Sequence, residues 1–218
     1  MLGRRWGTAF AAFGILAVLF TTAEPGAATV RSIDPPNGQF TIDVHSVHGN
    51  GCPPGTAKVV RAGDRTAFTV TYSNYTAQNG GGIAISQRRA ACTIAVDVGV
   101  PHGFTFGITR TTFRGFADLA EGATGRLDTQ YWFVGMDVTG KIRRDFTGEL
   151  QDNWQATDEV PLPEVMWMPC RPGGVPLNIE SSLTVNAGRI NPGTTSLMTM
   201  DATDSEVTTI YNIAWREC

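Results

Sequence analysis

Lysine is nearly missing from this chain, which carries it only at positions 58 and 141. The arginines are scattered and the formal net charge is −3, so no clustered basic surface of the kind nucleic acid requires is present. Close-spaced metal ligands are missing too. The four cysteines, Cys52, Cys92, Cys170 and Cys218, stand dozens of residues apart and form no C-x-x-C pair. Histidine occurs only at His45, His48 and His102, and neither H-E-x-x-H nor a nucleophile elbow surrounds any of them. On these grounds no catalytic residue, metal or cofactor is assigned. Past the first residues, no apolar run approaches the ~20 residues of a spanning helix.

The start of the chain is expected to be a leader. Arg4 and Arg5 provide a positive end, Ala9 to Phe20 an apolar run of h-region length, and Gly26-Ala27-Ala28 a small-x-small cleavage site, with Ala23 as a second choice. Residues 1–28 are therefore read as a signal peptide and 29–218 as a single exported domain. Removing Arg4, Arg5 and Glu24 with the leader takes the net charge from −3 to −4. An even number of cysteines in an oxidising compartment indicates two disulfides. Three connectivities exist; closure of the shorter loops favours Cys52–Cys92 with Cys170–Cys218.

Alternation with a period of two runs through the domain. In Cys92, Ile94, Val96 and Val98 one phase is apolar, while Thr93, Ala95 and Asp97 occupy the other. Pro101-His102-Gly103 interrupts the pattern, which resumes at Phe104, Phe106 and Ile108; this reads as a central hairpin. Phase is lost again between Arg110 and Phe113, where a bulge or a crossing to another sheet would restore burial. Similar patterns appear at Phe40–Val44, Phe68–Tyr72, Leu177–Val185, Leu197–Met200 and Val207–Trp215, with a short strand at Ala57–Arg61. Leu127–Val138 has apolar residues in both phases and reads as a strand covered on both faces. The expected fold is an all-β, antiparallel, jelly-roll-like sandwich of about ten strands.

Residues 140–163 are rich in Asp, Glu, Arg and Gln and read as a long exposed excursion. Trp154 sits there among Asp152, Asn153 and Gln155, so its ring is the sequence candidate for a ligand contact. Arg110 and Arg114 are added because guanidinium groups capture carboxylates through two parallel hydrogen bonds. Asp118, Glu121 and Asp128 fall close together in sequence and suggest paired acids for glycosidic hydrolysis; turn capping is the commoner role. His102 reads as an exposed turn residue. His45 and His48 need an unidentified carboxylate before they do chemistry. Asn74-Tyr75-Thr76 is a glycosylation sequon.

A series of short motifs then carries a resemblance. They are Gly51-Cys52-Pro53-Pro54-Gly55, Phe68-Thr69-Val70, Arg88-Arg89 before Cys92, Pro101-His102-Gly103-Phe104, Phe113-Arg114-Gly115-Phe116-Ala117, Trp167-Met168-Pro169-Cys170, Leu177-Asn178-Ile179 and Trp215-Arg216-Glu217-Cys218. In this order they resemble the DUF4360 family, small secreted proteins without an assigned function. The resemblance implies a compartment and a fold but no activity. Ala90-Ala91 replaces a more polar step before Cys92, and Phe113 and Phe116 stand where the family favours tyrosine. The function expected is that of a secreted, non-catalytic protein binding an extracellular glycan, another cell-surface component or a protein. The alternative is an extracellular polysaccharide hydrolase or lyase.

Overall fold

The computed structural model describes residues 31–189, 193–200 and 208–218. The expected leader lies outside these residues, as does Val207. Among the described residues twelve strands are formed: β1 (Thr41–His48), β2 (Ala57–Arg61), β3 (Ala67–Tyr72), β4 (Thr76–Asn79), β5 (Arg89–Gly99), β6 (Phe104–Leu119), β7 (Thr124–Phe133), β8 (Thr139–Thr147), β9 (Leu150–Glu159), β10 (Leu177–Asn186), β11 (Ser196–Thr199) and β12 (Thr208–Glu217). Two short 3-10 turns, Ile85–Arg88 and Leu162–Glu164, are the helical elements among the described residues. One sheet runs β1-β5-β10-β7-β8; the other runs β2-β3-β12-β6-β11-β4, with β9 on the far side of β6. Every described strand pairing is antiparallel. The fold is a β-sandwich.

The longer core strands form because one phase of each is apolar, and those phases meet between the sheets. Phe106 and Ile108 from the seven-stranded sheet face Ile94, Val96, Leu177 and Phe133 from the other, all buried. Phe106 meets Phe133 edge-on at 5.4 Å, and Phe40 meets Trp215 edge-on at 5.1 Å. Burying each such side chain contributes roughly 1.5–3 kcal/mol. All four tyrosines, Tyr72, Tyr75, Tyr131 and Tyr211, also point inward. The Tyr75 hydroxyl shares a 2.9 Å hydrogen bond with Ser181 Oγ, which explains the polar residue in the apolar phase of β10.

Both disulfides follow the expected pairing, Cys52–Cys92 and Cys170–Cys218. The chain-entropy relation gives each about 4 kcal/mol for loops of this length. Cys52–Cys92 is in the core, whereas Cys170 and Cys218 are exposed.

Three expectations are corrected. First, β5 and β6 are not a hairpin. The Pro101–Gly103 turn carries the chain from one sheet to the other, so the two apolar phases oppose each other across the core. Second, residues 140–163 are not an exposed loop. They contain β8, paired with β7, and β9, paired with β6. Their polarity belongs to the outward phase, where Arg126–Asp145, Arg143–Asp128 and Arg110–Glu159 form ion pairs. Third, β7 is covered on one face only: Tyr131 and Phe133 are buried, Trp132 is half-buried on the outside, and Val134, just past the strand, is 45% exposed. The register shift in β6 falls at Thr109, between the pairs Ile108–Ile213 and Arg110–Asn212, just before the span Arg110–Phe113 of the expected loss of phase. It exposes Arg110 and keeps Thr111 and Phe113 inside.

Candidate functional site

The outward face of the five-stranded sheet gathers polar side chains from strands far apart in sequence. Register aligns Gln130 of β7 with Glu180 of β10, and Asp128 with Ser182 one step along. On the other side of β10, Glu180 aligns with Thr93 and Ser182 with Ala91. Small residues therefore run along the middle of the sheet, with longer ones on β7 and β8. The result is a trough of about 550 Å³.

Its polar groups are held in place. Gln130 Nε2 donates to Glu180 Oε2 at 2.6 Å, and Arg143 Nε donates to Asp128 Oδ1 at 2.6 Å. Ser182 is 4% exposed and lines the floor. The ladder between β7 and β8 shifts register at Gln130, between Thr129 and Tyr131. Thr129 belongs to the inward phase of β7 with Leu127 and Tyr131, so its buried, unpartnered hydroxyl faces the core beneath the trough. Arg89 at the start of β5 and Lys141 on β8 close the rim from opposite sides. Trp132 continues the same outward phase of β7 beyond Gln130 and lies across from Asn178. Fixed carboxylate and amide groups with a small-residue floor can exchange hydrogen bonds with a ligand rich in hydroxyls.

The sequence candidates are placed elsewhere. Trp154 is 6% exposed and points into the core, where its ring lies 5.3 Å from that of Phe146. Arg110 and Arg114 share the outer face of the seven-stranded sheet, separated from Trp154 by the strands' own thickness. Arg110 Nη2 pairs with Glu159 Oε1 at 2.7 Å, and Arg114 Nε donates to Gln155 Oε1 at 2.9 Å. Asp118 on β6 and Asp128 on β7 belong to different sheets, so that acid grouping is not assembled. Asp128 instead meets Glu180 as a diagonal same-face neighbour, a relation of about 7–8 Å in antiparallel sheets. His45 does find a carboxylate: its Nδ1 lies 3.0 Å from Asp97 Oδ2 at the exposed β1 edge. His102 is exposed in its turn.

Comparison with known proteins decides the family. The family model described as "Domain of unknown function (DUF4360)" matches residues 38–218. The chain belongs to the DUF4360 family. One relative of this DUF4360 protein, from Arthroderma benhamiae, is named "Uncharacterized secreted protein"; it is 29% identical over 170 residues, covering 78% of this chain and 68% of the relative. Among solved structures, the enzymatically active domain of bacteriophage CBA120 tailspike protein 4 aligns at TM-score 0.23 and 13% identity, over 82% of this chain and 19% of that one. A family 11 carbohydrate-binding module from Clostridium thermocellum, in complex with a mixed-linked tetrasaccharide, aligns at TM-score 0.20 and 11% identity, over 86% of this chain and 95% of that one. Scores of this size define no shared fold, so the site is read from its own residues. For the DUF4360 chain, the two disulfides match an oxidising, extracytoplasmic compartment.

The polar convergence on the trough was not visible along the chain, because Asp128 and Gln130 lie some fifty residues from Glu180 and Ser182. One signal was available: Glu180 and Ser182 occupy the phase of β10 opposite to Leu177, Ile179 and Leu183.

Proposed function

We propose that this protein is an exported, non-catalytic binding protein that takes an extracellular carbohydrate in the trough of its five-stranded sheet. One observation carries the reading: Gln130 and Glu180 are tied into one hydrogen-bonded donor–acceptor unit beside the nearly buried Ser182, on an outward sheet face. An outward face that merely keeps a protein in solution needs no such arrangement, since solvated charges suffice. Sugar hydroxyls offer paired donors and acceptors that match a carboxylate and an amide held side by side. The small residues Ala91, Ser182 and Thr93 leave space for a ring above the sheet. Trp132, half-buried at the end of the same phase, offers a flat apolar surface for stacking.

The test is a glycan array and a cell-wall pulldown with the mature protein and with the Gln130→Ala/Glu180→Ala variant. Retention of a glycan by the wild type, with at least tenfold weaker retention by the variant, supports the reading. Equal retention by both sends the site elsewhere.

A second reading, a polysaccharide hydrolase or lyase, is favoured by the diagonal placement of Asp128 and Glu180, which puts two acids in one trough. Against it, each acid is already engaged, by Arg143 and Gln130 respectively. Release of reducing ends from any retained polysaccharide, abolished by Asp128→Asn, would favour the enzyme.

A further inference from the structure

The charge around the trough runs against that of the chain. The protein as a whole has a formal net charge of −3, yet three cations line the trough, Arg89, Lys141 and Arg143, against two carboxylates, Asp128 and Glu180. Of the three, Arg143 is used up by Asp128. Arg89 and Lys141 have no carboxylate partner among the described residues. Lys141 is moreover one of the only two lysines in the sequence.

Their placement gives the pair a geometry. Arg89 lies on β5 and Lys141 on β8, with β10 and β7 between them. Three strand spacings make about 14 Å across the sheet. Arg89 aligns with Thr184, while Lys141 lies next to Ile142, the partner of Thr129, so they are also offset along the strands. A ligand touching both must cross the sheet obliquely and exceed one sugar ring in length. Between them lie the Gln130–Glu180 unit and the Ser182 floor.

Resting on the carbohydrate reading above, we infer that the trough selects an acidic polysaccharide. Uronate carboxylates meet Arg89 and Lys141 at the two rims, while sugar hydroxyls meet the floor. The Arg89 guanidinium suits a planar carboxylate through two parallel hydrogen bonds, and Lys141 acts as a point charge. Asp128 is neutralised by Arg143, which leaves the single charge of Glu180 on the floor against the two cations of the rims.

The experiment is titration calorimetry of the mature protein with polygalacturonate and with alginate, each compared with its carboxyl-esterified form, and with sulfated dextran. Arg89→Gln/Lys141→Gln is titrated in parallel, its fold checked by circular dichroism and melting. The expected result is that at least one uronate polymer binds tenfold or more tightly than its ester, and that the double variant reduces it to the level of the ester. Added salt should weaken the acid form alone. If acid and ester bind equally and the double variant matches wild type, the acidic selectivity is overturned while the carbohydrate reading stands. If sulfated dextran binds as tightly as the uronates, recognition is of bulk polyanion charge and the carboxylate assignment fails. If no glycan is retained on the array by the wild type, both fall together.

Discussion

Trp154 packs against Gly115, its cross-strand partner, and a side chain at Gly115 would collide with the Trp154 ring. The bare backbone of β6 is what lets a large ring from β9 enter the core beside Phe146. Trp154→Ala should therefore behave as a core truncation and lose roughly 3–5 kcal/mol of stability. Gly115→Ala should destabilise as well, through overpacking, by about 1–3 kcal/mol. Chemical denaturation of both variants checks this. A Trp154→Ala protein melting like wild type would contradict the burial.

The same pair shows where sequence reading succeeds and where it stops. Strand β5 was legible because Cys92, Ile94, Val96 and Val98 are uninterrupted and their outward neighbours are small. The disulfides were legible because both expected loops close without crossing, and the shift in β6 because Arg110 broke the apolar phase. Strand β9 was not. Its inward positions Trp154 and Ala156 are too few, against Gln151, Asp152, Asn153 and Gln155, to announce a strand. Its place is set by pairing with β6, a tertiary cause that no local pattern carries. Nor does Pro101-His102-Gly103 distinguish a hairpin from a crossing between sheets, since both need the same turn. The trough was hidden for a related reason: register alone brings β7 and β10 together.

The two disulfides should differ in reactivity. Thiol exchange needs an attacking thiolate to reach sulfur. Cys170 and Cys218 are exposed, while Cys52 and Cys92 are fully buried. Graded reduction of the native protein, followed by alkylation and peptide mapping, should label Cys170 and Cys218 first. Labelling of Cys52 and Cys92 should require global unfolding. Simultaneous labelling of all four at low reductant would refute the order.

Alkaline titration should show tyrosines that resist ionisation. Burial pushes Tyr131 up to about 12, with the charge of Asp158 adding to the shift. Burial holds Tyr72, Tyr75 and Tyr211 higher still. In the unfolded chain all four titrate near the ordinary value of about 10. A folded pKa above the unfolded one means the native state holds its protons longer. This contribution to stability is complete below about pH 10 and is lost as pH rises through about 12 and beyond. Ultraviolet titration should thus detect little tyrosinate in the folded protein near pH 10.5. Its appearance should coincide with loss of the near-ultraviolet circular dichroism. A smooth titration centred on the ordinary value, with the fold retained, would be the contrary result.

Trp132 should respond in the opposite way to Trp154. It is half-buried on the outward phase of β7, opposite Asn178, so truncation opens no cavity between the sheets. The lost contacts are those its ring makes along the sheet surface, and Trp132→Ala should cost under about 2 kcal/mol of stability, below the range for a core tryptophan. If the ring forms the stacking end of the trough, the same substitution should weaken glycan retention about tenfold, the scale of an aromatic contact worth more than 1 kcal/mol. Trp132→Phe, which keeps a flat ring, should recover part of that loss, whereas a purely structural role predicts no such rescue. Melting and retention measured on the wild type, Trp132→Ala and Trp132→Phe separate the alternatives. Unchanged retention in Trp132→Ala would confine ligand contact to the Gln130–Glu180 floor and its two cationic rims, and a melting loss as large as that of Trp154→Ala would mean that the ring holds the sheet together.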